Sequence, residues 1–232
     1  PLSAVAEGLA PDKEWKSRVR DEEWRIGDTV NASIGQGYVL TSPLQLAVLT
    51  ARIATGREVT PRLIRLIDGV TQPSGLGESL GINENTLRRV RASMNDVCNH
   101  RRGTAYRSRI IDDAHKMAGK TGTSQVRRIT PEERAAGVTR NEDLPWERRD
   151  HALFVGFAPY DNPRYAVSVV VEHGGGGSAA AAPIARDILL QAQYGGPPPL
   201  EAYPAEVRDR IAEQQSRIEA RIPPGAKGRS RV

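Results

Sequence analysis

Met117-Ala118-Gly119-Lys120-Thr121-Gly122-Thr123-Ser124-Gln125-Val126 is the stretch on which the reading of this chain turns. It reads as a strand that carries a lysine and two glycines. Side chains alternate along a strand, so Thr121 and Thr123 share a face and can present two hydroxyls to one carboxylate, while Lys120 adds a positive charge nearby. Gly122 removes a side chain where a neighbouring layer approaches closely. If the backbone N–H of Thr123 lies on the open side of the strand, it can donate to the oxyanion of a tetrahedral acyl intermediate. Losing such a donor typically costs about 3 to 4 kcal/mol in the transition state. The string Lys120 to Thr123 is not specific alone, since a strand with an exposed lysine has the same look.

Downstream, residues 127–150 form a polar loop with six Arg against six Asp or Glu. It is longer than most loops of a compact domain, and its place beside the strand leads us to expect that it borders a cleft and gates access or contacts a partner. His151 to Ala158 and Arg164 to Val171 are apolar runs joined by Pro159-Tyr160-Asp161-Asn162-Pro163, a hairpin signal. Both runs are apolar at nearly every position, which predicts cover on both faces. Gly174 to Gly177 then lead through Ser178 into a helix over 179–193, with Ile184, Ile188 and Leu189 along its buried stripe. The glycine run lacks G-x-x-x-x-G-K-[ST], so it reads as a flexible joint and not as a phosphate-binding nest.

Upstream, residues 1–30 are charged, with Trp15 and Trp24 expected to anchor an irregular segment on a core supplied elsewhere. Ile34-Gly35-Gln36-Gly37-Tyr38 is a glycine-punctuated loop. Thr41-Ser42-Pro43 starts a helix in which Leu44, Ala47, Val48 and Ala51 form one face and which Gly56 stops. Residues 57–82 hold a short apolar run, Leu63 to Ile67, and a turn at Gln72-Pro73-Ser74-Gly75. Asn83 or Asn85 caps a second helix with Leu87, Val90, Met94, Val97 and Cys98 on one side, ended by Gly103-Thr104-Ala105. Beyond Gly196 the composition changes: 197–232 read as a charged tail, with Val207, Ile211, Ile218 and Ile222 on one amphipathic helix and a disordered end.

Composition narrows the classes of function. Hydrophobic residues make up 38% of the 232, lean for a wholly packed chain, so part of it is expected to be exposed. No run approaches the roughly 18 apolar residues of a membrane span. Pro1-Leu2-Ser3 has neither an initiator Met nor a signal pattern, and the chain reads as a cut piece. The net charge of +5 comes from 33 basic residues interleaved with 28 acidic ones along the chain, which argues against a nucleic-acid footprint. Cys98 is the only cysteine, which rules out an internal disulfide and predicts a small buried residue. His100, His115, His151 and His173 have no paired ligand spacing, so no metal is expected.

A wider pattern joins these pieces. Gly27-Asp28-Thr29, Ser33-Ile34-Gly35-Gln36-Gly37-Tyr38, Thr41-Ser42-Pro43-Leu44-Gln45, Arg102-Gly103-Thr104-Ala105, Gly119 to Val126 and Phe157-Ala158-Pro159-Tyr160-Asp161-Asn162-Pro163 resemble the transpeptidase domain of class B penicillin-binding proteins. The likeness is to the elongation enzymes of Gram-negative rods. It covers about residues 1–196, the expected C-terminal portion of that domain. Lys-Thr-Gly belongs to the signature of penicillin-binding proteins and class A β-lactamases.

The resemblance implies an α/β (α+β) fold, an antiparallel sheet flanked by helices, and peptidoglycan crosslinking through a serine acyl-enzyme with no cofactor. It implies that Lys120, Thr121, Gly122 and Thr123 bind the terminal carboxylate of a D-Ala-D-Ala stem peptide or of a β-lactam. The Thr123 amide would be half of the oxyanion hole, and Lys120 would help hold the carboxylate and a proton network. A membrane-embedded glycosyltransferase would be a partner, at the periplasmic face of the inner membrane. One departure is decisive: the chain has no S-x-x-K, so the nucleophile is expected upstream of Pro1 and the piece alone is expected to be inactive. Ser93-Met94-Asn95 and Tyr160-Asp161-Asn162 fit forms of the second motif but stand at the wrong distance from Lys120. They read as a helix surface and a hairpin turn. A β-lactamase, a D,D-carboxypeptidase or a penicillin-sensing or inactive domain would share the third motif.

Overall fold

The computed structural model describes residues 6–73, 75–127 and 129–221. The expectations for Pro1 to Ser3, for Ser74 in its turn, and for Ile222 and the disordered end fall outside those residues.

Among the described residues the N-terminal segment is not wholly irregular. It contains α1 (Lys13–Arg20) and α2 (Ile26–Ser33). Asp12 caps α1 by accepting from Trp15 N, and Asp21 ends it in the left-handed region at φ 54°. Lys16 is buried between them. Its ammonium meets Asp28 at 2.8 Å and Glu22 at 3.2 Å, and donates to the Glu23 carbonyl. That ion pair, which apolar periodicity does not reveal, joins the two helices. Trp15 packs on Tyr38, with ring centroids 5.2 Å apart, and both are half-buried and outside the apolar core.

Helix α3 (Pro43–Thr55) begins and ends where the sequence says. Ser42 and Gln45 form a reciprocal capping box, proline opens the first turn, and Gly56 closes the helix at φ 70°. Its buried face is turned from the expected one. Thr50 and Ala54 are buried, whereas Leu44 is 40% exposed. Thr50 can go inside because its hydroxyl donates to the Leu46 carbonyl one turn back. Residues 57–82 form two small antiparallel pairs, β1 (Arg57–Val59) with β4 (Leu76–Ser79) and β2 (Leu66–Ile67) with β3 (Val70–Thr71). Asn83 caps α4 (Glu84–Asn99), which buries Leu87, Met94 and Cys98 but leaves Val90 exposed.

The centre is a three-stranded antiparallel sheet in the order β5 (Ala118–Ser124), β6 (His151–Ala158), β7 (Tyr165–Val171). Between β5 and β6 the loop contains a short helix, α5 (Pro131–Ala136). The predicted hairpin is present, and the expected antiparallel sheet flanked by helices is found. α3 packs on one face of β6 and β7, α6 (Ala181–Tyr194) packs on the other, and α4 lies along β5. Only the middle strand β6 is covered on both faces; Ala166 and Val170 of β7 are exposed.

α6 corrects a second expectation. Its buried residues are Ala181, Ala182, Ala185, Arg186, Leu189 and Leu190, and Ile184 and Ile188 stand 43% and 47% exposed. Alanines let the helix approach the sheet closely, and bulkier side chains would hold it off, so the isoleucine stripe is turned outward. The glycine joint before α6 is likewise a tight fit. A Cβ at Gly177 would lie 2.2 Å from the Leu153 carbonyl oxygen and 2.5 Å from that of Gly122.

The last segment starts inside the core. Ala202, Tyr203 and Ile211 are buried in the same apolar cluster as Phe154, Leu189 and Leu190, and Ile111 N donates to Ala202 O. The amphipathic helix expected there is α7 (Arg208–Arg221), which buries Ile211 and exposes Ile218.

Candidate active site on the open edge of β5

β5 is an edge strand, and its two halves differ. Met117, Ala118 and Gly119 are buried. The end of α4 covers the outer edge there: Asn99 Nδ2 donates to Met117 O at 2.9 Å, and the Gly119 N–H meets the Cys98 sulfur. From Lys120 onward the edge is open, with Lys120, Thr123 and Ser124 exposed.

The direction of each peptide group follows from strand geometry. In an extended strand the N–H and C=O of one residue point to the same edge, and alternate residues point to opposite edges. Thr123 O accepts from Gln36 Nε2 at 2.8 Å and Thr121 O accepts from Lys120 Nζ at 2.7 Å, so residues 121 and 123 face outward. Met117 and Gly119 have the same parity and the same direction. The Thr123 N–H therefore points away from β6, toward the open edge.

Side chains divide between the faces. Thr121 pairs with Phe154 and Thr123 with Ala152, on the face that α6 covers farther in; Lys120 pairs with Val155 and Gly122 with Leu153, on the other. Thr121 and Thr123 thus share a face. Lys120 begins on the opposite one, and its long stem brings the ammonium round the edge to the Thr121 carbonyl. It has no carboxylate partner among the described residues. Gly122 is needed less for its own missing side chain, since a Cβ there would meet only Leu153 Cβ at 3.3 Å, than as the backbone on which Gly177 presses.

Beside this edge runs a groove of about 940 Å³, bounded by Gly122, Thr123, Leu153, Gln36, Leu46 and Leu49, among others. A second, more polar hollow of about 510 Å³ adjoins it, where Gln125 and Arg127 face Trp24, Asp28, Asn31 and Gln36. Of the loop over 127–150, expected to border the cleft, Arg127 alone among the described residues lines either hollow. The remainder is tied to itself, by the pair Arg127–Glu133 and by Asn141, which exchanges bonds with Asp150. It is also tied to the segment after β7, where the Trp146 and His173 ring centroids lie 4.5 Å apart and Gly175 N donates to Asp150 O at 2.8 Å.

Two residues matter here that were quoted above only as part of a pattern. Gln36 reaches the open edge from a loop held by Gly35 and Gly37, both at φ 73°. Thr104 places its Oγ1 2.8 Å from Thr121 Oγ1. Spacing carries no sign of either, since both contacts span distant segments. The two decoys stay apart from this edge. Ser93 is exposed on α4 and Asn95 accepts from Asn99, while Tyr160 packs in the hairpin turn against Phe157. Among the described residues no cluster of His, Cys, Asp or Glu could hold a metal ion, and no helix is long and apolar enough to cross a membrane.

The penicillin binding protein transpeptidase domain profile matches residues 6–190. The peptidoglycan D,D-transpeptidase MrdA of Acinetobacter baumannii is 39% identical over 181 residues, which are 75% of this chain and 25% of that protein. MrdA of Haemophilus influenzae is 33% identical over 221 residues, 91% of this chain and 33% of its own length. Among solved structures, Pseudomonas aeruginosa PBP2 in complex with WCK 5153 is 36% identical at a TM-score of 0.65, covering 83% of this chain and 39% of that one. Helicobacter pylori PBP2 in complex with MreC is 34% identical at a TM-score of 0.66, covering 83% and 33%. The chain spans about a quarter to a third of the length of the curated relatives it matches.

Proposed function

The chain belongs to the penicillin binding protein transpeptidase family, and from that premise we propose that it supplies the substrate-docking strand of a peptidoglycan D,D-transpeptidase. The observation that carries the reading is the outward-facing peptide of Thr123 on an edge with a groove beside it. That residue offers a donor and an acceptor together. Its carbonyl receives an amide N–H from Gln36, which stands in for the peptide N–H of an extended substrate laid along the edge. Its N–H is then free to hold the oxyanion.

In the proposed reaction a serine of an upstream Ser-x-x-Lys attacks the carbonyl of the penultimate D-Ala, and the paired lysine takes the serine proton. The carbonyl oxygen gains the negative charge and is held by Thr123 N–H and by the serine's own amide, each donor contributing about 3 to 4 kcal/mol to the transition state. The C–N bond breaks, and terminal D-Ala leaves with a proton on its nitrogen. An amine of a second stem peptide then attacks the ester and restores the serine. Lys120, Thr121 and Thr123 hold the terminal carboxylate, with Gly122 between them leaving the edge clear. The Lys120 ammonium, lodged on Thr121 O, exchanges that acceptor for a carboxylate, a stronger one. No cofactor takes part. A β-lactam enters the same way. A glycosyltransferase partner and a place at the periplasmic face of the inner membrane belong to the same proposal.

The test uses a longer protein that contains the Ser-x-x-Lys, with labelled penicillin and a lipid-linked substrate. Stable acylation plus crosslinking is the expected result, with Lys120→Ala lowering the acylation rate. Rapid release of hydrolysed penicillin would instead identify a β-lactamase, and stable acylation without crosslinking a sensor. The 232-residue chain alone should take no label.

A further inference from the structure

The turn after α4 is built to hold one hydroxyl in place. Gly103 lies so close to the end of α4 that a Cβ would stand 2.3 Å from both the Asp96 and the Val97 carbonyl oxygens. Ala105 is buried and its N–H donates to Val97 O at 3.0 Å. Thr104 is fixed between these two anchors, yet its own side chain is exposed and points at β5. There it meets the hydroxyl of Thr121 at 2.8 Å.

Each threonine hydroxyl has one proton and two lone pairs. When Thr121 donates its proton to a bound carboxylate, its oxygen is left able only to accept. Thr104 is the hydroxyl in reach to donate to it. The resulting chain runs one way, from Thr104 O–H to Thr121 Oγ1 and from Thr121 O–H to the carboxylate. Each bond polarises the next. The opposite orientation, Thr121 donating to Thr104, would turn the Thr121 proton away from the ligand.

We propose that Thr104 is a positioning residue of the docking site, which orients the Thr121 hydroxyl so that its proton faces the substrate carboxylate. This rests on the reading of Thr121 as a carboxylate ligand given above.

The experiment compares acylation of the longer protein by a labelled penicillin and by its methyl ester, which lacks the anionic carboxylate. Thr104→Val, nearly isosteric but without the hydroxyl, should lower the second-order rate for the free acid about tenfold, as expected for weakening a bond to a charged group. It should leave the ester rate unchanged. Thr104→Ser should restore the rate, and Thr104→Val should add nothing in a Thr121→Val background. An unchanged free-acid rate in Thr104→Val overturns the proposal, and so does an equal loss with the ester, which would mean that the strand as a whole had shifted. If Thr121→Val itself fails to discriminate acid from ester, the reading of Thr121 is wrong and the role of Thr104 falls with it.

Discussion

Gln36 Nε2 donates to the carbonyl of Thr123 at 2.8 Å, joining a loop and a strand 87 residues apart in sequence. This bond sets the orientation of the loop between α2 and α3 against the open edge of β5. Gln36→Ala should raise amide hydrogen exchange across residues 34–38 with little change in global stability, about 0.5 to 1 kcal/mol, because the bond is exposed. Gln36→Glu should be worse at pH 7, where an ionised carboxylate would face a carbonyl oxygen with no proton between them. The excess should vanish below about pH 4, where the acid regains a donor. Equal exchange in both variants at pH 7 would contradict this.

The ring of Phe154 lies in a slot made by two glycines. A Cβ on Gly119 would come within 2.3 Å of Phe154 Cζ, and one on Gly156 within 2.8 Å of Phe154 Cε1. Gly119→Ala should therefore destabilise the chain by roughly 1 to 3 kcal/mol through overpacking. Phe154→Ala should cost about 3 to 5 kcal/mol through the cavity. The double variant should cost less than the sum, since the added methyl no longer meets a ring and keeps only its 2.5 Å approach to the Val155 carbonyl oxygen. Chemical denaturation checks all three, and strict additivity would argue against the slot.

Cys98 is fully buried, and burial pushes its thiol up to about 12. Only the thiolate reacts readily, so a disulfide reagent at pH 8 should leave the folded chain unmodified and label one thiol after denaturation. Labelling at a free-thiol rate in native buffer would show that α4 does not seal the closed half of β5.

Asp112 accepts from Tyr194 Oη at 2.5 Å and from the His115 ring at 2.7 Å, and His115 stacks on Tyr194. The Tyr194 bond, foremost, lowers the Asp112 carboxyl below its ordinary 3.8, while burial and then that carboxylate push Tyr194 up to about 12. The signs differ at the two ends of the pH scale. Asp112 contributes stability above its ordinary value and loses it as pH falls through the lowered one. Tyr194 contributes below its ordinary 10.0 and loses it as pH rises toward about 12. Tyr194→Phe should flatten the alkaline limb of a stability profile between those values and move acid unfolding to higher pH. An unaltered profile would sink this account.

At the other end of the molecule, Asp28→Asn should free the buried Lys16 ammonium from its main partner and loosen α1 against α2. Because the Lys16 bond is the first cause that lowers the Asp28 carboxyl, acid should have a like effect on the wild type as pH falls below that carboxyl's ordinary 3.8. The expected sign is faster proteolysis near Arg20 to Arg25 in the variant at neutral pH, with the sheet core unaffected.

Much of the chain is legible in its sequence. The limits of α3, from Ser42 to Gly56, follow from capping chemistry that acts within four residues. So do the hairpin of β6 and β7 and the strand over Lys120 to Thr123. The helices α1 and α2 are not legible there. Their stability comes from the Lys16 ion pair and not from apolar periodicity.

The linear order of residues determined where α3 starts and stops and which strand holds the ammonium and hydroxyls. Those follow from forces of short range: dihedral preference, caps and alternation. Tertiary structure alone decided that α6 turns its alanines inward and its isoleucines out, and that Gly177 presses on Gly122. It also decided that Gln36 and Thr104 meet the open edge of β5. These depend on how closely two surfaces can approach, and that distance is set by every side chain in both layers at once.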